Sequence, residues 1–297
     1  MSTNSTNAVF QERKPDLGRQ SNMGQLLLAQ GKLSASQAEK ILLVQQELGL
    51  RFGEAAMKLG FLSEQDIQEV LSRQFDYACL PAGDESLDPQ LLAAYQSDSS
   101  QVEALRSLRS QLILRWMSGG NKTVCVASHD NEVAAGWLAA NLAIVFSQLG
   151  QRTLLVDAAL RKPHQHIFFR QSNRIGLSDV LAGRADVSCM QCIPQLPDLY
   201  LICGGTDVPN KQELLTRTAL DMLLRQAEQD FDIVIVSAPA LKGSADAQLI
   251  AARAKGVVLL VEPGQSRVDD LETARDNLRM AGATILGCVM NSFKVSV

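Results

Sequence analysis

The chain has 297 residues, of which 46% are apolar and 20% charged, with a formal net charge of −4. That length accommodates about two domains, the composition is that of a folded globular protein, and the slight acidity excludes a general pull toward nucleic acid or an anionic membrane. No apolar run reaches the ~18 residues of a membrane span. The polar start carries no apolar h-region, so no signal peptide is expected, and residues 1–20 are expected to form a disordered tail.

Residues 21–80 contain an internal repeat. The first copy runs Asn22-Met23-Gly24, Leu27, Gly31, Leu33, Leu42 and Gln45, and the second runs Arg51-Phe52-Gly53, Gly60, Leu62, Ile67, Leu71 and Gln74. Each copy reads as a short helix, a glycine turn and a longer helix. Ser34 with Gln37, and Ser63 with Asp66, have the spacing of reciprocal helix caps. The Leu and Ile positions recur at helical spacing and predict the core of a small bundle. Residues 81–101, polar and Pro-containing, read as a linker. A helix is predicted over Val102–Met117, with Glu103, Arg106 and Arg109 along one face.

From there strands and helices alternate. Strands are predicted at Thr123–Ala127, Arg152–Val156, Leu199–Cys203, Asp232–Val236, Gly256–Val261 and Thr284–Met290, with helices at Asn141–Gly150, Gln212–Gln229 and Val268–Ala281. Apolar, β-branched strands between helices predict an α/β domain over residues 102–297 with a parallel sheet covered on both faces. Six scattered cysteines include Cys125 and Cys288 in apolar runs. The lone Cys189-x-x-Cys192 spacing is a weak metal signal, so reduced structural thiols, a cytoplasmic location and no metal site are expected. His164 and His166 read as structural.

Between the first strand and its helix stand Ser128–Gly136, SHDNEVAAG. A phosphate-cradling P-loop at that place needs glycines whose N–H groups close around phosphates, a Lys on the β/γ-phosphates and a Ser/Thr hydroxyl on Mg²⁺. Here Ala134, Ala135 and Gly136 adjoin the helix, and both the Lys and the hydroxyl are gone.

Several segments, in order, resemble the cytoplasmic domain of bacterial tyrosine kinases, relatives of the MinD/ParA-type P-loop ATPases. LLVDAALRKPHQH (Leu154–His166) is similar to the family's second aspartate motif, and FDIVIVSAPA (Phe231–Ala240) to its Walker B strand. GLSDVLAG (Gly176–Gly183) and PNKQELL (Pro209–Leu215) match connectors. GCVMN (Gly287–Asn291) matches the last strand, whose Asn contacts adenine in relatives. Glu103-x-x-Arg106-x-x-Arg109 is similar to the helix through which these kinases form rings. The whole chain looks most like EpsG-type proteins of exopolysaccharide operons. Against that pattern, Ala135 stands at the Walker A Lys position and Gly136 at its Ser/Thr. Asp157 survives, but the later acidic position is Ala159, and Ser237 stands at the Walker B Asp. Asp157, Arg161 and Asn291 are the remnants of a nucleotide site. The resemblance also implies a C-terminal tyrosine cluster, whereas the chain ends SFKVSV and its tyrosines are Tyr77, Tyr95 and Tyr200. A shifted alignment that lets Lys122 or Arg161 supply the missing charge is the alternative. Trp137 is expected either to pack or to fill space that a nucleotide uses.

The repeat resembles the MshE-type N-terminal domain of secretion and pilus ATPases, which binds cyclic di-GMP in several members. The resemblance makes Arg51, Phe52, Gly53, Gly60, Leu62, Gln74, Gly24, Leu27, Gly31, Leu33 and Gln45 candidate ligand contacts, with Asn22 replacing one expected Arg. A protein-docking bundle is the alternative. The combined expectation is a catalytically inactive kinase-like subunit of exopolysaccharide chain-length control and export. It is expected to use no cofactor, where the family uses ATP and Mg²⁺, and to meet an inner-membrane polysaccharide co-polymerase at the cytoplasmic face. It would form homo-oligomers or rings with an active kinase paralogue through Glu103, Arg106 and Arg109. An active autokinase and a cyclic di-GMP sensor are the competing readings.

Overall fold

The computed structural model of the chain describes residues 27–28, 31–64, 66–67, 79–81, 83–243, 245–291 and 293–295. The chain divides after Ala78 into two compact units.

The first unit holds α1 (Ala35–Leu48) and α2 (Phe52–Lys58). At the start of α1 the Gln37 N–H donates to Ser34 Oγ (3.3 Å) while the Ser34 N–H donates to Gln37 Oε1 (2.8 Å). Ser63 and Asp66 make the same exchange at 3.0 and 3.2 Å. Gly31 and Gly60 both turn the chain at φ +69°, a conformation that costs a side-chain-bearing residue about 1–2 kcal/mol. Leu27, Leu33, Ile41, Ala55, Ala56, Leu62 and Ile67 form the core. The Lys32 ammonium lies 2.7 Å from Asp66 Oδ1 and ties the turn of one repeat to the cap of the other.

The second unit is a seven-stranded sheet with helices on both faces. In chain order its elements are α3 (Leu92–Tyr95), α4 (Ser100–Arg115), β1 (Thr123–Ser128), α5 (Glu132–Ser147), β2 (Thr153–Asp157), α6 (Gln165–Phe168) and α7 (Leu177–Leu181). These are followed by β3 (Gln191–Ile193), β4 (Leu196–Ile202), α8 (Lys211–Thr216), α9 (Thr218–Asp230), β5 (Ile233–Ser237), α10 (Asp246–Ala254), β6 (Gly256–Val261), α11 (Val268–Met280) and β7 (Thr284–Met290). The strand order is β3-β4-β2-β5-β1-β6-β7. Every pairing is parallel except that of β3 with β4. The central strands β1, β2 and β5 are buried along their whole length, as continuous apolar runs require.

Helix α5 is buried at every residue from Ala134 to Ser147. A helix apolar all round needs cover on all sides. The sheet supplies one side, and α3 with α4 supplies the other. This corrects the linker expected over 81–101, much of which is packed structure. Leu87, Leu91, Ala93 and Ala94 are fully buried. The Ala93 N–H donates to Asn141 Oδ1 (2.9 Å), and Gln148 Nε2 donates to the Ala93 carbonyl (2.7 Å). The predicted helix over Gln212–Gln229 is two helices that meet at Arg217, whose extended backbone (ψ 152°) breaks the run.

Candidate functional site

In open parallel sheets the ligand crevice lies beyond the carboxyl ends of the strands. At those ends Asp157 of β2 and Ser237 of β5 are register partners, and Ser237 also pairs with Val126 of β1. The loop between β1 and α5 follows β1 directly, and Ala135, Gly136, Asp157, Ala159 and Ser237 lie at one end of the sheet.

The loop closes on itself. Asn131 caps α5, its Oδ1 accepting from the Ala134 N–H at 3.0 Å. The same side chain donates through Nδ2 to both carboxylate oxygens of Glu262, at 3.0 and 2.9 Å. Glu132 occupies the first turn of α5 and pairs with Lys162 at 3.6 Å. A helix N-terminus attracts anions through its free N–H groups and positive dipole end. Here a carbonyl oxygen and a carboxylate of the chain itself already take that role.

Deeper in, Asp157 is fully buried. Its Oδ2 accepts from the backbone N–H groups of His164 (2.8 Å) and Gln165 (2.9 Å), and its Oδ1 from that of Ala159 (3.3 Å). Burial pushes its pKa up to about 6 against the pull of those three donors, and the charge of Glu132 adds to the rise. Gln165 then bridges the site. Its Nε2 donates to the Gly136 carbonyl at 2.9 Å and to Ser237 Oγ at 3.2 Å. A Cβ on Gly136 would stand 3.2 Å from that nitrogen, so a glycine at this position makes room for the bridge.

The remaining candidates disperse. Arg161 Nε donates to Asp246 Oδ2 at 2.8 Å. Lys122 Nζ donates to the carbonyls of Glu228 (2.7 Å) and Phe231 (3.0 Å), at the C-terminal end of α9. Each of the two cations is therefore engaged by another part of the chain. Asn291 lies at the end of β7 with both amide atoms bonded to the Phe293 backbone at 3.0 Å. Trp137 donates to the Gln90 carbonyl (2.6 Å) and stacks on Phe293, ring centroids 5.3 Å apart. On α4, Glu103 is exposed and contacts Arg106, which also donates to the Ser97 carbonyl at 2.9 Å. Arg109 is buried against the Val145 carbonyl at 2.6 Å.

In the first unit Leu27, Leu33 and Leu62 are core, Phe52 packs on that core, and Gln45 is half-buried. Gly53 lies close to Ile67, where a Cβ would come within 3.2 Å of its Cδ1. Arg51 is exposed, with its N–H on Glu54 Oε2 at 2.9 Å. Gly24 and Gln74 lie outside the described residues.

Sequence reasoning missed Asn131, Glu132, Gln165 and Glu262. An Asn followed by Glu is a legible helix start. Nothing in the spacing points to Gln165, which meets partners 29 and 72 residues away.

No family model matches the chain. It is 30% identical over 244 residues to EpsB of Ralstonia solanacearum, a tyrosine-protein kinase homologue, across 78% of this chain and 32% of that relative. The chain thus spans about a third of the length of that relative. It is 30% identical over 206 residues to the tyrosine-protein kinase YwqD of Bacillus subtilis, across 69% of this chain and 87% of YwqD. The kinase domain of the Escherichia coli tyrosine kinase ETK superposes with a TM-score of 0.66 at 27% identity, covering 72% of this chain and 85% of that domain. Among the described residues no helix is long and apolar enough to cross a membrane. The relatives correct one expectation: kinases draw their phosphoryl group from ATP with Mg²⁺, so the cofactors of this lineage are ATP and Mg²⁺ rather than none. Glu132 and Glu262 set two carboxylates at the loop, which repel phosphate in the absence of a cation, and no chemical step is derived through the cofactor. With the fold, the ordered motifs and the YwqD match in agreement, the chain belongs to the bacterial tyrosine-protein kinase family.

Proposed function

We propose that this chain is a member of the family that is silent in phosphoryl transfer. It serves as a regulatory or scaffolding subunit of exopolysaccharide chain-length control and export, working with an inner-membrane polysaccharide co-polymerase at the cytoplasmic face. The observation that carries the reading is the Gln165 amide bridged to Gly136 and Ser237. It ties together the two positions at which the family holds its metal, and it brings no charge. Removing one electrostatic stabiliser of a transition state costs about 10²–10³ in rate, and groups that act as a unit fail together. The exposed Glu103 face of α4 is the surface we assign to contact with an active kinase subunit. For the helical unit we favour a docking role, because the repeat residues serve its core.

The test is direct. The full chain is incubated with γ-labelled ATP and Mg²⁺, alone and with an active kinase of the family, and tyrosine phosphate is read by mass spectrometry. The chain alone is expected to incorporate no label. Self-phosphorylation on Tyr77, Tyr95 or Tyr200 would establish an active autokinase instead; YwqD is named a tyrosine-protein kinase.

A further inference from the structure

Two cavities open side by side around the end of α7. The first, of about 800 Å³, is lined by Arg174, Ile175 and Arg184 among others. The second, of about 600 Å³, is lined by Val180, Leu181, Arg217 and Ala219 among others. Gly183 lines both, so the two share a wall. It turns the chain after α7 at φ +72°. A Cβ there would meet nothing within 4 Å among the described residues, so the passage beside it is open.

A chain of net charge −4 places three arginines along this groove. The carboxylates of Asp179 and Asp186 are already engaged. Asp179 is buried and holds Arg184 at 2.9 Å, and Asp186 Oδ1 accepts from the Ser188 N–H at 2.8 Å. Arg174 and Arg217 are exposed, and among the described residues their guanidinium groups have no hydrogen-bond or ion-pair partner. Each cavity therefore holds one guanidinium whose donors are all unused. Each also sets it beside carbon: Ile175, 55% exposed, in the first, and Val180, Leu181 and Ala219 in the second.

Such a pairing fits a side chain with a flat apolar body and a strongly anionic tip. Aspartate and glutamate carry a single charge on a short stem and leave the apolar lining uncovered. Phosphotyrosine carries about −1.5 to −2 charge and three acceptor oxygens on an aromatic ring, and a guanidinium holds phosphate through paired hydrogen bonds. Three arginines are too few to track a nucleic-acid backbone, whose binders neutralise about 6–10 phosphates. We propose that the groove binds an extended peptide segment carrying two phosphotyrosines, one phosphate on Arg174 and the other on Arg217. The rings lie against Ile175 in the first cavity and against Val180 and Ala219 in the second. This rests on the partnership with an active kinase subunit proposed above, and the segment belongs to that partner.

Fluorescence anisotropy on the full chain tests this. The probes are labelled synthetic peptides, each with two phosphotyrosines about two, four or six residues apart, which spans about 7–20 Å of extended chain. At least one is expected to saturate at micromolar concentration, and its unphosphorylated form not to bind. Arg174→Ala and Arg217→Ala should each weaken binding about tenfold, and both together further, with melting temperatures unchanged because both side chains are exposed. The groove assignment fails if no phosphorylated peptide saturates below about 1 mM, if glutamate in place of phosphotyrosine binds as well, or if neither arginine matters. It fails equally if single-stranded DNA or anionic vesicles displace the peptide on equal terms. None of these outcomes bears on phosphoryl transfer, which the labelled-ATP experiment reads separately.

Discussion

In the helical unit the recurring residues Leu27, Leu33 and Leu62 are buried in one core, and Gly31 and Gly60 hold the same left-handed turn. On the reading proposed above, Ala135, Gly136, Ala159 and Ser237 of the α/β unit replace charged or hydroxyl-bearing family residues, while the surrounding strands and helices form. A motif that builds the core persists for as long as the fold does, so its presence carries little information about a ligand. A motif that only holds a ligand is free to change, so its loss speaks about function. The same physics makes resemblance weak evidence in the first unit and departure strong evidence in the second.

The largest test of that contrast is to put the charge back. Ser237→Asp places a second carboxylate in the register position beside buried Asp157. With the Gln165 amide but no cation beside it, it should cost about 3–5 kcal/mol, the range for an uncompensated buried charge, read as a fall in melting temperature. If Mg²⁺ restores the melting temperature of this variant, the crevice has kept metal competence and the proposed silence of the wild type would rest on Ser237 alone. If Mg²⁺ does nothing, the Gln165 bridge has replaced the metal site as a whole. Ile41→Ala, at a fully buried position of the helical unit, should cost about 2–5 kcal/mol. Its effect belongs to the first unit. A two-step melt in which only one transition moves is the expected record.

Asp157 gives the next effect, and its sign follows from burial. The folded pKa is raised from 3.8 to about 6, so folding favours the protonated form. The stability this contributes is complete below about pH 4 and lost as the pH rises through about 6. Above that, the buried carboxylate is a liability. Asp157→Asn keeps an oxygen for the His164 and Gln165 N–H groups and gives up the weaker bond from Ala159. It should therefore raise the melting temperature at about pH 8 and change little at about pH 4, an effect on the order of 2 kcal/mol at the higher pH. Equal melting temperatures at both pH values would mean that Asp157 is charged throughout and that its three donors outweigh burial.

The parallel strands were legible because burial on both faces leaves only apolar, β-branched residues, and β6 and β7 lie at their predicted bounds. The edge strand β3 was not, since three residues carry no periodicity. The packed segment before α4 was misread from its polar and Pro-bearing first half, although Leu87, Leu91, Ala93 and Ala94 form the cover that the apolar helix α5 demands. In the crevice, the proposed loss of charge was read from position alone. The side chains that replaced it were not, because Gln165 and Glu262 reach the loop only through the fold.

The smallest expected effect is also the one that decides the first unit. Arg51 is exposed and engages Glu54 through its backbone N–H rather than its guanidinium. Arg51→Ala should therefore leave the melting temperature within about 0.5 kcal/mol of wild type, as surface substitutions do. A guanidinium that contacts a guanine or a phosphate is worth about 1.5–3 kcal/mol, or roughly ten- to a hundredfold in affinity. Titration of cyclic di-GMP by calorimetry against both proteins separates the two roles. Saturable binding to wild type that weakens by that factor in the variant would make the repeat a ligand site despite its core duties. Absence of binding to either, with both proteins equally stable, leaves Arg51 as a surface charge of a docking bundle, as the burial of its neighbours argues.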